Sequence, residues 1–317
     1  MVNVAFLGFG TVGSALRDLL ERRRDALRAG YGVEFNVTGV ATRARGWMAN
    51  DHEALDIHSW LRACDAHVMF ESIALNHETG QPALEYSRAA LEQGIHVVSA
   101  NKGPVVHGYR ELTAIAKRRG CAYRFESAVM DGAPIFSLVE RCLPLVDITG
   151  ISGVFTSTST IVLEAIEQGA TMDDGIRHAQ ELGIAEADPS YDVEGWDSAV
   201  KLCALANVLM AGDLRPEQVE RVGLQSLDTN VVRAAARAGE PIRLVGDVRT
   251  THAGIAARVA PRACAPNDVY GAVRGATLVT HFEAEVFPGG LTVTSRDPDP
   301  QTTAYGMLAD FISVLNA

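Results

Sequence analysis

A cluster of acids in front of one lysine is the part of this sequence that points most directly to chemistry. Lys201 is preceded by five carboxylic acids, namely Glu186, Asp188, Asp192, Glu194 and Asp197. Carboxylates can bind a cationic group, and a lysine shielded from water can transfer a proton. The segment therefore predicts a polar pocket in which acids hold an amine and Lys201 exchanges a proton with the bound molecule.

The element that must position this lysine is the apolar run from Trp196 to Met210, which no Gly or Pro interrupts. The run predicts a mostly buried helix with Asp197 and Lys201 four residues apart on one face. An exposed ion pair is the plainer interpretation of that spacing. We favour the pocket, because Leu202 to Ala206 contain no second basic residue and four more acids lie just upstream.

Length and charge set the class of protein. The chain has 317 residues, 47% of them hydrophobic, which suits two globular domains of about 150 residues each. A net charge of -11 argues against nucleic acid or an anionic membrane as a partner. Neither a membrane-spanning stretch nor a signal peptide is evident, so we expect a cytoplasmic location. The five cysteines are scattered and read as reduced packing residues.

A glycine-rich turn opens the chain. The apolar strand Val2 to Leu7 leads into a helical run from Ser14 to Arg28, and between them lie Gly8, Phe9, Gly10, Thr11, Val12 and Gly13. In a dinucleotide fingerprint such glycines allow a tight turn, close approach of a pyrophosphate and close packing of helix on strand. These six residues therefore predict a cofactor site, and the alternative is a glycine turn without a ligand.

The second strand, Phe35 to Ala41, predicts which coenzyme is preferred. It ends in Thr42-Arg43-Ala44-Arg45, where an NAD site usually carries an acid for the ribose hydroxyls. Arg43 and Arg45 suit a 2'-phosphate instead, so we expect NADP to be preferred to NAD. Arginines that simply face water are the alternative.

Further apolar runs alternate with helical patterns through the first half of the chain. The runs are His67 to Phe70, His96 to Ala100 and Ala122 to Phe125, with helices predicted at Pro82 to Gln93 and Tyr109 to Arg119. This alternation predicts an α/β fold with a Rossmann-type doubly wound parallel sheet. Ser99, Ala100 and Lys102 follow a strand at the edge where such sheets bind ligands. Lys102 is thus a second candidate active-site cation, or else a solvated loop lysine.

The second half predicts an α+β catalytic and dimerisation domain. After a helix at Ile135 to Cys142 and a strand at Ile148 to Phe155 comes the hydroxyl run Thr156 to Thr160. Thr158 in this run is a candidate substrate ligand, and helix capping is the alternative. Predicted strands follow at 242–248, 254–259, 276–286 and 291–294. We expect domains at 1–130 and 131–298, with a helix at 299–317 returning to the first.

Several ordered motifs resemble the homoserine dehydrogenase family over nearly the whole chain. They are G-F-G-T-V-G (8–13), T-G-Q-P-A-L-E-Y-S-R-A-A-L-E-Q-G (79–94), S-A-N-K-G-P (99–104), V-M-D-G-A-P-I-F-S-L (129–138), A-E-A-D-P-S-Y-D-V-E-G-W-D-S-A-V-K (185–201) and T-T-A-Y-G-M-L-A-D-F (302–311). The resemblance implies an NAD(P)-dependent enzyme that interconverts L-homoserine and L-aspartate 4-semialdehyde, with a Rossmann domain and a dimerising region.

The resemblance also implies roles for individual residues. Lys201 is similar to the family's proton-transfer lysine and Lys102 to its second active-site lysine. Glu186, Asp192 and Asp197 match acids that hold the substrate's amino group or position the lysine. The family's properties further imply a homodimer, a small-molecule substrate, and a Na or K ion held by main-chain carbonyls near Glu126 and Val129. The nicotinamide is expected near Lys102.

Two segments depart from the family pattern. Thr156-Ser-Thr-Ser-Thr160 replaces an Asn-Gly-Thr-Thr-Asn motif, and Arg296-Asp-Pro-Asp-Pro300 replaces a glycine-rich turn. Both normally border the substrate or nicotinamide. The alternatives are therefore a dehydrogenase of the same fold for another hydroxy amino acid or hydroxy aldehyde, or a catalytically silent NAD(P)-binding protein. The chain stops at Ala317 without the regulatory domain of many relatives, so feedback through such a module is not expected.

Overall fold

A computed structural model describes residues 1–185 and 188–316 and divides the chain into two compact units. The first unit contains Met1–Ser137 together with Asp299–Ala317, and the second contains Leu138–Pro298. Glu186, one of the predicted substrate acids, lies outside the described residues.

The helices and strands follow one another along the chain in mixed order. Up to residue 124 they are β1 Val2–Leu7, α1 Thr11–Arg22, α2 Arg24–Tyr31, β2 Phe35–Thr42, β3 Gly46–Ala49, β4 His52–Ala54, α3 Ile57–Ala63, β5 Val68–Glu71, α4 Ala83–Glu92, β6 His96–Ser99, α5 Lys102–Arg119 and β7 Tyr123–Arg124. The remaining elements are β8 Ile148–Val154, α6 Ser157–Glu167, α7 Met172–Glu181, α8 Ser190–Val193, α9 Trp196–Leu209, β9 Glu220–Arg221, α10 Thr229–Arg237, β10 Ile242–Thr251, β11 Gly254–Ala263, β12 Leu278–Ala284, β13 Phe287–Ser295 and α11 Pro300–Leu315.

The first unit is built on a sheet with strand order β4-β3-β2-β1-β5-β6-β7. From β2 to β7 in this order, neighbouring strands pair in parallel, which confirms the doubly wound α/β class predicted from the alternation of strands and helices. Strands β3 and β4 add an antiparallel hairpin at one edge. This hairpin was not predicted, because strands of four and three residues are too short to show a period of two.

The first unit's core joins both ends of the chain. Phe6 of β1 packs with Leu16 and Leu20 of α1 and with Met307 and Phe311 of α11 in one buried cluster. Apolar residues on one face of α11 therefore fix that helix against α1 and the central strands.

The single helix predicted from Ser14 to Arg28 is wrong, since the structure breaks it at Arg23 into α1 and α2. After the break, the guanidinium of Arg24 lies 4.0 Å from the centre of the Phe35 ring and donates to the Phe35 carbonyl at 2.9 Å. This contact with β2 holds α2 in its new direction. It joins residues eleven positions apart, so helical periodicity could not reveal it.

The second unit is α+β, as predicted, with strand order β13-β12-β8-β10-β11-β9. Every pair in its sheet is antiparallel except β11 with β9. Helix α9 packs on β8, β10 and β11, and Leu202 of α9 lies directly over Gly246 of β10. On β8 and β10, Val154 and Val245 pack with Tyr270 and Val273 from the segment before β12.

Among the predicted elements that differ from the structure are two further helices. Helix α5 begins at Lys102 rather than Tyr109, because the Asn101 side chain accepts the Gly103 amide at 3.0 Å and caps it. Pro104 falls in its first turn, where a missing N–H costs little. The helix predicted at Ile135 to Cys142 contains a π-helical stretch at Leu138–Cys142.

Along the described ranges, no helix combines the length and apolar character needed to cross a membrane.

Helix α11 crosses the segment after β7 so closely that only glycine fits. A Cβ on Gly306 would lie 2.5 Å from the Cα of Gly132. We expect Gly306→Ala to lower the free energy of unfolding by about 1–3 kcal/mol, because either backbone must move. Gly30→Ala is the control, since its Cβ would meet nothing within 4 Å. Urea unfolding measures both, and equal stability of the two variants would contradict the proposed contact.

Candidate active site

The predicted lysine and its helical neighbour form a buried ion pair. The Lys201 ammonium lies 2.9 Å from Asp197 Oδ2, and the two residues are only 8% and 7% exposed. Lys201 also donates to the Phe155 carbonyl at 2.6 Å. Phe155 directly follows β8, so the lysine joins α9 to the end of the central strand. This burial excludes the alternative of an exposed surface pair.

A second acid from the cluster faces the predicted hydroxyl run. Thr158 in the first turn of α6 donates to Asp192 Oδ2 at 2.6 Å. The neighbouring Thr156 caps α6 by accepting the Ser159 amide at 3.4 Å. Capping is therefore confirmed for Thr156, while Thr158 binds an acid of the candidate site and its role as a substrate ligand stays a prediction.

Tyr191 is a residue of this loop that the sequence patterns did not single out. Burial, followed by the charges of Asp197 and Asp192, raises the pKa of the Tyr191 phenol far above its ordinary value. The phenol therefore stays protonated, as a polar neutral group beside two acids. Its position between Ser190 and Asp192 inside the acid cluster was the available signal.

Arg221 holds the acid-bearing loop from the sheet side. Its guanidinium carbon lies 3.5 Å from the centre of the Trp196 ring, and Nη1 donates to the Glu194 carbonyl at 2.7 Å. Helix α9 starts after Gly195, whose φ of 81° is left-handed and which has no side chain to cap the helix. Arg221 thus fixes the turn that leads into α9, the helix that carries Asp197 and Lys201. The sequence could not predict this contact, because it forms only when β9 joins the sheet.

The glycine turn of the first unit has the geometry of a phosphate-binding turn. Gly8 has a φ of 96°, and a Cβ there would lie 2.7 Å from the Ser72 carbonyl. A Cβ on Gly13 would lie 2.6 Å from the Gly8 oxygen. Gly10, by contrast, faces open space within 4 Å and immediately precedes α1, so main-chain N–H groups can approach an anion there. These residues fit a dinucleotide.

The segment from Ser99 to Lys102 lies at the same end of the parallel sheet. Ser99 ends β6 and is fully buried, Ala100 is partly buried, and Lys102 is the first residue of α5. The Ser99 hydroxyl donates to Glu71 at 2.5 Å. Glu71, the last residue of β5, was missed because a single acid after an apolar strand has no distinctive spacing.

Arg43 and Arg45 are both exposed in the turn between β2 and β3. The Arg45 amide donates to Thr42 Oγ1 at 3.1 Å, which closes the turn. A pocket of about 490 Å³ adjoins it, lined by Arg17, Val37, Thr38, Gly39, Val40, Arg45, Met48 and Asn50. The turn thus offers basic side chains and no carboxylate of its own.

The Glu126 side chain, near which a monovalent cation was expected, has another function. Its carboxylate accepts the amides of Ile135, Phe136 and Ser137 at 2.5, 2.8 and 2.8 Å. Val129 is buried nearby in the chain. Within residues 1–185 and 188–316, no group of three or more His, Cys, Asp or Glu side chains could hold a metal ion. A cation here would depend on main-chain carbonyls, as the resemblance implies.

The role of Arg221 predicts a local effect on the acid-bearing loop. Arg221→Met should lower the free energy of unfolding by about 1–2 kcal/mol, because a cation–π contact and a hydrogen bond are lost. Amide hydrogen exchange should also become faster across residues 190–197. Arg249→Met is the control, since its pair with Glu283 is 56% and 35% exposed and should change stability by less than about 0.5 kcal/mol. Unchanged exchange in Arg221→Met would contradict the clamp.

Comparison with known families covers both units. Residues 8–126 match the family described as homoserine dehydrogenase, NAD binding domain, and residues 134–312 match the family described as homoserine dehydrogenase. The NAD(+)-dependent homoserine dehydrogenase of Pseudomonas canavaninivorans is 32% identical over 98% of this chain and 95% of its own.

Solved structures agree with the sequence matches. A homoserine dehydrogenase from Thiobacillus denitrificans superposes with a TM-score of 0.87 at 29% identity, covering 99% of this chain and 73% of its own. A hyperthermophilic archaeal homoserine dehydrogenase in complex with NADPH gives a TM-score of 0.82 at 26% identity, covering 99% and 98%. With its glycine turn and its matches to both family domains, the chain belongs to the homoserine dehydrogenase family of NAD(P)-dependent oxidoreductases.

Proposed function

We propose that this protein interconverts L-homoserine and L-aspartate 4-semialdehyde, with Lys201 transferring the proton of the reacting oxygen. The observation that carries the proposal is the buried pair of Lys201 and Asp197 beside the Phe155 carbonyl. When bound, the nicotinamide cofactor supplies or accepts the hydride. Gly8, Gly10 and Gly13 would hold its pyrophosphate.

Lys201 would work as an acid in one direction and as a base in the other. During reduction of the aldehyde, its ammonium donates a proton to the oxygen on which negative charge develops. Asp197 and the Phe155 carbonyl stabilise that ammonium form. During oxidation of the alcohol, the lysine must accept the proton, and its burial favours the neutral form that does so.

Acids of the loop before α9 would bind the amino group of the substrate. Asp192 is half-buried and oriented by Thr158, so its carboxylate is held in one position. Glu186 shares this proposed role on the strength of the family resemblance. The hydroxyl run replaces amide groups of the family pattern. Thr158 of this run nevertheless holds Asp192, the acid proposed to bind the amino group. The contact therefore favours an amino-acid substrate over a hydroxy aldehyde without an amino group.

An assay of the purified protein with L-homoserine and NADP tests the proposal directly. We expect growth of the near-ultraviolet absorbance of reduced nicotinamide. Lys201→Ala should lower kcat by a factor of about 100 or more without changing coenzyme affinity, because proton transfer is lost while the glycine turn stays intact. Lys117→Ala, at an exposed position of α5, is the control.

Three outcomes would refute these assignments. Turnover of another hydroxy amino acid, but not of homoserine, would favour the alternative dehydrogenase. Coenzyme binding without turnover of any alcohol in the panel would favour the catalytically silent protein. Wild-type kcat in Lys201→Ala would remove the lysine from the mechanism.

We also propose that NADP is preferred to NAD. The exposed Arg43 and Arg45, in a turn without an acid, support this preference. A relative with 32% identity is named NAD(+)-dependent, so the turn itself must be tested. Arg43→Ala should lower kcat/KM for NADP about tenfold, since a phosphate contact is lost, and leave NAD within about twofold. Arg62→Ala, also exposed, is the control.

The family resemblance supports two further parts of the proposal, a homodimer and a monovalent cation bound by carbonyls between residues 126 and 133. In that stretch Asp131 and Gly132 both have left-handed backbones, with φ of 49° and 91°, so the chain turns sharply there. Sedimentation equilibrium tests the dimer, and replacement of K⁺ by choline in the assay tests the cation. The cytoplasmic location stays a prediction.

A further inference from the structure

Glu71 is a buried acid of the first unit to which the proposed mechanism assigns no role. It is 0% exposed at the end of β5. One carboxylate oxygen accepts the Ser99 hydroxyl at 2.5 Å, and the other accepts the Ile73 amide at 3.0 Å and the Asn101 side-chain amide at 3.3 Å. Three donors therefore converge on one carboxyl group in a water-poor region.

These donors belong to two loops at the carboxyl edge of the parallel sheet. Ile73 lies in the loop after β5, where the carbonyl of Ser72 fills the space beside Gly8. Ser99 is the last residue of β6, and Asn101 lies in the short loop after it, which leads directly to Lys102. Glu71 thus connects the glycine turn of the proposed cofactor site with the loop that ends in the second lysine.

The position of Lys102 depends on this loop. Asn101 caps α5 through the Gly103 amide at 3.0 Å, and its own main-chain amide donates to the Ser99 hydroxyl at 3.0 Å. The same Asn101 side chain donates to Glu71. Since Lys102 follows Asn101 immediately, the main chain from which its side chain extends is held by groups that Glu71 contacts.

Glu71 and Lys102 each occupy a position where one electrostatic effect opposes their charge. Burial raises the pKa of Glu71 despite its hydrogen bonds to Ser99, Ile73 and Asn101, so keeping a carboxyl group there is costly. The positive charge of Lys102 lies at the N-terminus of an 18-residue helix, where the helix dipole opposes it.

We propose that Glu71 is a positioning residue, which orients Lys102 toward the proposed cofactor site by holding Ser99, Asn101 and the loop behind Gly8. The inference rests on the proposed function, because it gives Lys102 a part in turnover. It predicts that Glu71 acts through Lys102 and therefore matters only when that lysine is present.

A double-mutant cycle with Lys102→Ala tests this dependence. Glu71→Leu removes all three acceptor contacts at similar volume and should lower kcat about tenfold, while KM for homoserine changes less than about twofold. In the Lys102→Ala background the same substitution should change kcat by less than about twofold. Glu71→Gln keeps an acceptor for Ile73 and Asn101 and should restore most of the lost activity.

Two variants control for loss of folding. Ser99→Ala removes two hydrogen bonds, the one donated to Glu71 and the one accepted from the Asn101 amide, so it should lower kcat about threefold, again only when Lys102 is present. Ser87→Ala also removes a buried hydroxyl of the first unit, one without a hydrogen-bond partner among the described residues, and should leave kcat unchanged. Thermal unfolding and coenzyme binding of every variant confirm that the fold is retained.

The outcomes separate this inference from the proposed function. Equal losses from Glu71→Leu with and without Lys102 would overturn the positioning role, as would wild-type kcat in Glu71→Leu. If Lys102→Ala alone retains full activity, the role of Lys102 fails and the inference fails with it. If the wild-type protein does not oxidise homoserine, the proposed function fails. Hydrogen exchange at the Gly103 amide then still reports on Glu71, and unchanged exchange in Glu71→Leu would overturn the inference.

Discussion

Lys201 and Asp197 form an ion pair that is buried away from water. Keeping this pair buried determines how α9 lies on the sheet of the second unit. Burying two charges costs several kcal/mol per ion, which their attraction offsets only when further polar partners are present. Lys201 finds such a partner in the Phe155 carbonyl, which is available because β8 ends there. Helix α9 must therefore cross the sheet at that strand end, and its buried residues from Asp197 to Asn207 hold it in place.

The loop before α9 carries the remaining acids, and contacts from two directions fix it. Thr158 binds Asp192 from the side of α6, while Arg221 binds Trp196 and the Glu194 carbonyl from the side of the sheet. A segment held from two sides, as residues 192–196 are, can present the Asp192 carboxylate without rearranging when an amine binds. The hydroxyl run that departs from the family pattern thus contributes to the candidate site, as capping group and as partner of an acid.

Elements whose determining contacts are local could be predicted from the sequence. The glycine turn, α9 and the alternation of strands and helices follow from spacings within a few residues. Features that distant residues decide could not be predicted. Glu71 and Ser99 are 28 positions apart, and Arg221 contacts Glu194 from 27 positions away. The start of α5 was missed for a different reason, because Gly103 and Pro104 resemble a loop until the Asn101 cap is seen.

The two candidate lysines lie in different electrostatic surroundings. Lys201 lies inside a buried helix beside a carboxylate, so its charge is balanced by a partner four residues away. Lys102 begins a helix whose dipole disfavours its charge, and a buried acid holds the loop before it. A neighbouring carboxylate thus favours the charge of Lys201, whereas the dipole of α5 opposes the charge of Lys102, although both lysines begin or lie in a helix.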